Sequence, residues 1–485
     1  MSNIELKPKA VFEQFAKINT IPRPSKREEK MIDYLRQWGE SHGLETKVDE
    51  TGNVIIRKPA TKGYEDRKTV ILQSHMDMVC DKLVDVEFDF DRDAIQTYVD
   101  GEWLRAKGTT LGADDGIGCA IELALLEAND VEHGPLECVF TRDEETGLSG
   151  AEGMKSDFMT GDYLINLDSE DEGEIFVSCA GGRNTQARFT FQREALTGQG
   201  NLFFMKAQLK GLTGGHSGDD INKKRANAIK LLGRFLYQTM NRYEGVRLAQ
   251  FHSGKLHNAI PRDGMFVIAV PTETKENVKA DWNVFAAQVE DEFHVTDTQM
   301  VWTMESAEAE PVIEDKVTRQ FVWALQAVDN GIYAICQDPE LNGMVETSSN
   351  IAAIHTTDCE ISILSSQRSN VMSNLDNMCA TIRATFQLAG AEAWSSDGYP
   401  AWKMRAESHL RDTVVECYKE LFGKEPIVRG IHAGLECGLF SERYPALDMV
   451  SFGPTLRGVH SPDECLHIAT VQMVWDHLLL ILKNI

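Results

Sequence analysis

The sequence predicts an α/β fold with a mostly parallel sheet, interrupted by an inserted α+β domain. Three observations carry this expectation. Strand-like and helix-like segments alternate from the N-terminal region up to CAGGRNT (179–185). That rhythm is lost in the residues that follow. Helix-then-strand order resumes near residue 399. A chain of 485 residues is also too long for one compact core, so two domains are expected. The pattern sets the bounds at 1–186 and 399–485 for the interrupted domain and 187–398 for the insert.

The elements follow in order. The opening MSNIELKPKAVFEQFAK has no apolar stretch after its charges and predicts a helix rather than a secretory signal. The run TVILQSHMDMV (69–79) predicts a buried strand. In ADDGIGCAIELALLE, Ile117, Ala120, Ile121, Ala124 and Leu125 recur at helical spacing. LECVFTR (136–142) and DYLINLD (162–168) predict two further strands. Next, NLFFMKAQLKGL, MFVIAV, ETSSNIAAIHT and CEISILSSQ read as strands lying beside the helix-like KRANAIKLLGRFLYQTM, without a βα repeat. The small and turn residues of AGAEAWSSDGYPAW (389–402) predict the return crossing. HLRDTVVECYKELFG is an amphipathic helix, and ALDMVSFGP a strand leading to the loop that holds His460.

Composition narrows the function. A net charge of −26 argues against nucleic acid or an anionic membrane as partner, because neutralising phosphates needs clustered Lys and Arg. No run approaches the ~18 apolar residues of a membrane span. The ten cysteines, Cys80, Cys119, Cys138, Cys179 and Cys336 among them, form no C-x-x-C. With no secretory signal they read as reduced thiols of a cytoplasmic protein, Cys119 and Cys138 serving as small core residues.

The chemistry gathers at strand ends. Glu144 and Glu145 are adjacent carboxylates in TRDEETG, and a bound divalent cation gives such a pair a reason to be held together. His75 and Asp77 in SHMDMV lie two apart near a strand end, where side chains share a face, so Asp77 can orient a ligating His75. Asp114 lies in LGADDGIG, a strand-to-helix turn whose Gly112, Gly116 and Gly118 permit close approach. Asp114 or Asp115 could equally cap the helix. Asp168 in INLDSED and His460 in RGVHSPDE complete the set. Taken singly, each has a plain reading as a loop or turn residue. Their occurrence after successive strands, where sites in open α/β sheets lie, argues for one site. Imidazoles and carboxylates without thiolate suit catalytic zinc, with cobalt or manganese as substitutes. Two ions bridged by one aspartate would lie ~3.5–4 Å apart and activate a water, with Glu144 as general base.

In this order and at these separations, SHMD, GADD, DEETG, the NLD aspartate and the late histidine resemble the dinuclear-zinc metallopeptidases that include carboxypeptidase G, aminoacylases and cytosolic dipeptidases. TTLGADDGIG, HGPLE, CAGG, KGLTGGHSG, HNAIPR, VETSSN, IHAGLECGLF and GPTLRGVHSPDE are similar to one branch, the bacterial aminoacyl-histidine dipeptidases. The resemblance implies a zinc-peptidase-like catalytic domain with an inserted lid. It implies that His75, Asp114 and Asp168 hold one ion and that Asp114, Glu145 and His460 hold the other. Asp77 would orient His75, and Glu144 would be the base. His216 in GGHSG would stabilise the oxyanion, and oligomer geometry decides whether it serves its own chain's site or a partner's. Asn258, Arg368 and Gly434 would contact substrate, Arg368 taking the terminal carboxylate. Gly116 stands where many relatives have Lys, and Asp168 is the residue found in members that need a free N-terminus. The expected activity is hydrolysis of unblocked dipeptides, including Xaa-His and β-alanyl-histidine, by a homodimer joined through the lid. A deacylase of N-acyl amino acids is the alternative.

Overall fold

The computed structural model describes residues 5–196, 201–341 and 343–485. Residues 1–4 of the opening segment lie outside the described residues. The chain divides into two compact units. One comprises the described residues up to Cys179 with Trp402–Gly430 and Leu435–Ile485; the other comprises Ala180–Ala401 and Ile431–Gly434.

The first unit is built on an eight-stranded sheet. Its order is Glu45–Val48, Val54–Lys58, Leu136–Thr141, Val70–His75, Tyr163–Asn166, Asp448–Ser451, Glu174–Cys179, Ile427–Ile431. The four strands from Leu136–Thr141 to Asp448–Ser451 are parallel. They are buried throughout, which explains their near-continuous apolar sequence. The sheet is mixed beyond this centre: Val54–Lys58 runs antiparallel to both of its neighbours. The short link 49–53 accounts for one of those pairings, since only antiparallel strands can be joined so tightly. Asp49 Oδ1 accepts the N–H groups of Thr51, Gly52 and Asn53 in that turn.

The helix Ala113–Glu127 is buried on nearly every side, and it packs against Lys9–Ile18 and the Val70–His75 strand. Ile117, Ala120, Ile121, Ala124 and Leu125 are indeed core residues, as are Cys119 and Cys138. A small antiparallel sheet orders Leu456–Arg457, Cys465–His467, Trp103–Ala106 and Thr97–Asp100. His460 lies on the loop joining its first two strands.

The second unit carries a nine-stranded sheet whose neighbouring strands pair antiparallel. Helices pack on it around Phe189, Phe235, Phe266, Trp282 and Phe321. Strand Glu392–Ser395 pairs with Gly181–Thr190, and the chain then returns to the first unit, where Trp402 O accepts the Cys179 N–H. Among the described residues no helix is long and apolar enough to cross a membrane.

Candidate metal centre and active site

The first unit brings His75, Asp77, Asp114, Glu144, Glu145, Asp168 and His460 together at the carboxyl end of its parallel strands. His75 ends its strand. Asp77 lies beyond that strand, so strand alternation is not what unites the two residues. The following loop instead carries the Asp77 carboxylate to 3.3 Å from His75 Nδ1. This is an ion-pair contact without good hydrogen-bond alignment. Asp77 is fixed in turn by the N–H groups of Glu144 and Glu145, 3.1 and 3.4 Å from its two oxygens.

The open question over capping is resolved by Asp115. Asp114 and Asp115 both have non-helical backbone angles, and the peptide bond between them is cis. Asp115 Oδ1 accepts the Gly118 N–H at 3.2 Å and so caps the first turn. Asp114 is left free to face the site. The glycines serve this turn. Gly112 has φ +67°, and a Cβ on Gly116 would lie 2.5 Å from Arg23 Nη2. The space that a side chain at 116 would take is used by the Arg23 guanidinium.

Asp114 is the centre of the cluster. Its Oδ1 lies 3.0 Å from His75 Nε2 and its Oδ2 lies 3.1 Å from His460 Nε2. Asp168 Oδ1 approaches the same His75 nitrogen at 3.5 Å, and Glu145 Oε2 approaches the same His460 nitrogen at 2.9 Å. Two tripods of donor atoms thus share one carboxylate. One grouping of ligand atoms crosses them: His75, Asp114 and Glu145 each offer one within 4.8 Å of the others. Asp143, Leu148 and His460 all have positive φ, at 51°, 56° and 61°. Left-handed backbone at three non-glycine residues around one cluster is the kind of local cost that functional sites carry.

The electrostatics fit cations. Burial, with the charges of Asp168, Glu145 and Glu436, holds the Glu144 carboxyl well above the usual carboxylate range. Burial pushes Asp168 up to about 6 even with His75 beside it. Hydrogen bonds to Asp114 and Glu145 push His460 up to about 11. Burial alone would lower His75, but Asp168, Asp114 and Asp77 raise it well above its ordinary value. The carboxylates that favour positive charge on the two imidazoles would equally favour a bound cation among them. Glu145 Oε1 is buried without a partner. Two imidazoles, three carboxylates and no thiolate make a donor set that fits a pair of divalent cations.

Several supporting residues were not visible in the sequence. Arg23 is buried and donates to the carbonyls of Met76, Asp77 and Gly112 at 3.3, 2.8 and 2.5 Å. Nothing in its local sequence marks it. Glu464 accepts the N–H groups of Leu111, Gly112, Ala113 and Asp114. Its place four residues after His460 was the available signal. Glu436 is fully buried beneath the cluster, and burial pushes its carboxyl up to about 8.

The second unit gathers the remaining expected residues. His216 Nδ1 lies 3.3 Å from Asp219, and Arg368 Nη2 lies 3.4 Å from His216 Nε2. Arg368 is only 5% exposed, sits in strand Glu360–Ser369 and donates to Tyr399 Oη at 2.7 Å. The Asn258 carbonyl accepts the Ser217 N–H at 2.8 Å. A Cβ on Gly434 would meet the Tyr399 ring at 2.7 Å. His432, which the sequence did not flag, contacts Ser348 Oγ at 2.8 Å. Burial, with the Arg368 charge, pushes its ring down to about 3.

This fold and this donor cluster define a metal-dependent peptidase. The chain belongs to the family described as Peptidase family M20/M25/M40, whose profile matches residues 71–484. It is 42% identical over 482 residues to the cytosol non-specific dipeptidase of Escherichia coli strain K12, covering 99% of this chain and 98% of that protein. The crystal structure of aminoacylhistidine dipeptidase from Vibrio alginolyticus superposes with a TM-score of 0.90 at 41% identity, covering 100% of this chain and 98% of that one. Aminopeptidase PepT from Bacillus cereus shares the fold alone, with a TM-score of 0.57 at 16% identity over 99% of both chains.

Proposed function

We propose that this protein is a dinuclear metallodipeptidase that hydrolyses unblocked dipeptides, Xaa-His and β-alanyl-histidine among them. The observation that carries the reading is Asp114, whose two oxygens face two different histidines, each backed by its own acidic residue. Near-full-length identity to a dipeptidase supports the substrate class.

His75, Asp114 and Asp168 would hold one ion, and Asp114, Glu145 and His460 the other. Two divalent cations, zinc by donor type and cobalt or manganese as substitutes, would supply Lewis acidity toward the scissile carbonyl and acidify a water. Glu144 takes the proton of the attacking water and returns it to the leaving amine. Burial that raises its carboxyl makes it a stronger base than an exposed glutamate. Asp77 keeps the His75 ring oriented. In the second unit, the Arg368 guanidinium offers two N–H groups to the peptide's terminal carboxylate. His216 stabilises the developing oxyanion, and Asn258 and the Gly434 backbone contact substrate. The enzyme works in the cytoplasm as a homodimer joined through the second unit, and it needs neither nucleic acid nor membrane.

The test is a panel of free dipeptides and their N-acetylated forms, run on chelated protein and after zinc, cobalt or manganese is returned. Loss and recovery of free-dipeptide hydrolysis is expected. Faster turnover of the blocked forms would instead identify a deacylase.

A further inference from the structure

Beneath the cluster, one pleat below the ligands, lies a row of buried polar side chains that the reaction itself does not use. Gln73 precedes His75 by two residues and Asn166 precedes Asp168 by two; Thr141 ends the strand that leads to Glu144 and Glu145. Gln73, Asn166 and Ser451 sit side by side in register on adjacent parallel strands. Their side chains are linked. Ser451 donates to Asn166 Oδ1, and Asn166 Nδ2 donates to Gln73 Oε1 at 2.7 Å. Gln73 Nε2 and Thr141 Oγ1 both donate to Glu436 Oε2 at 2.6 Å. All five residues are completely buried, and Glu436 is the only one of them from outside the sheet.

A polar row in the middle of an apolar sheet needs a compensating role, because buried donors are costly unless paired. Gln73 and Thr141 have one shared acceptor, and Glu436 supplies it. Leucine at 436 would take the shorter bond from both donors, leaving Gln73 Nε2 with Thr141 Oγ1 at 3.1 Å and Thr141 Oγ1 with the Ser74 carbonyl at 3.4 Å, and would loosen two neighbouring strand ends that lead to ligands.

We propose that Glu436 is a positioning residue. It ties the ends of the strands bearing His75, Glu144 and Glu145, and through Gln73 and Asn166 the segment bearing Asp168, so that the two donor tripods are held at the separation a pair of cations requires. The proposal rests on the reading of His75, Asp114, Glu145, Asp168 and His460 as metal ligands. It adds to that reading a residue that touches none of them. Partners of metal ligands, when removed, typically cost 10–100-fold in metal affinity.

The experiment compares wild type, Glu436→Gln and Glu436→Leu as full-length chains. Each is stripped with a chelator and titrated with zinc against a chromophoric competitor, and the melting temperature of each metal-free protein is measured. Glutamine keeps the acceptor oxygen, and leucine removes it at similar volume. The expected result is that Glu436→Leu loses roughly tenfold or more in zinc affinity while Glu436→Gln stays within about threefold of wild type. Thr141→Val, which removes a donor to the same oxygen, should weaken zinc in the same direction and serves if the leucine variant does not fold. Unchanged zinc affinity in Glu436→Leu and Thr141→Val overturns the proposal. Equal weakening in Glu436→Gln and Glu436→Leu also overturns it, because charge and not the hydrogen-bonded row would then be responsible. A wild-type chain that takes up no pair of ions would sink the metallodipeptidase reading itself, which is a different result.

Discussion

Glu144→Gln separates proton transfer from metal holding. Glu144 opens a short helix, and its backbone N–H is tied to Asp77 Oδ1 at 3.1 Å, a contact that a side-chain change leaves in place. The carboxyl is crowded by the negative charges of Asp168, Glu145 and Glu436 in a buried setting. Glutamine has the same outline without the charge, so it relieves that repulsion and should leave the fold no less stable. What it removes is the basic oxygen. A positioned acid/base group contributes about 10²–10⁴-fold, which is about 2.7–5.4 kcal/mol of barrier at 1.36 kcal/mol per tenfold. The assay is steady-state hydrolysis of a free dipeptide by metal-replete protein, with metal content measured on the same sample. The expected result is kcat lower by that factor, KM little changed and two ions retained. Turnover within a few-fold of wild type would refute Glu144 as base. Loss of metal together with activity would show that the residue is a ligand instead.

Other outcomes follow from the same geometry. Asp114→Asn leaves one oxygen where two face His75 and His460, so both ions should weaken together; loss of one alone would defeat the bridging assignment. Away from the site, His477 is 4% exposed, lies 2.8 Å from the Val414 carbonyl, and burial pushes its ring down to about 4. An unfolded chain protonates that ring near pH 6.5, so between about 6.5 and 4 the unfolded state holds the extra proton and stability falls as pH falls, by up to about 3 kcal/mol. Denaturant melts of wild type and His477→Gln across that window should show the smaller decline in the variant; parallel declines would count against this role for His477.

Why the ligands could be found in sequence while their supports could not has a physical answer. A ligand must be His, Asp or Glu and must follow a strand, so it leaves a residue type and a position to read. Asp114 and Asp115 show the limit. Both suit a helix cap or a metal, and only the backbone angles and the Gly118 N–H assign the cap to Asp115. Arg23 has no such signature, because its role comes from three carbonyls on remote segments.

The order of apolar runs and turns was enough to predict a mostly parallel sheet interrupted by an inserted α+β unit, because burial on both faces of a sheet and the period of its side chains are written along the chain. Strand alternation could suggest that His75 and Asp77 belong together. It could not supply the route, which runs past the strand end and depends on the backbone of Glu144 and Glu145. The arrangement of Asp114 between two imidazoles, and the row that Glu436 anchors, were decided by tertiary structure alone. They are made by contacts between residues 39 to 363 positions apart, and local sequence carries no record of which distant groups will meet.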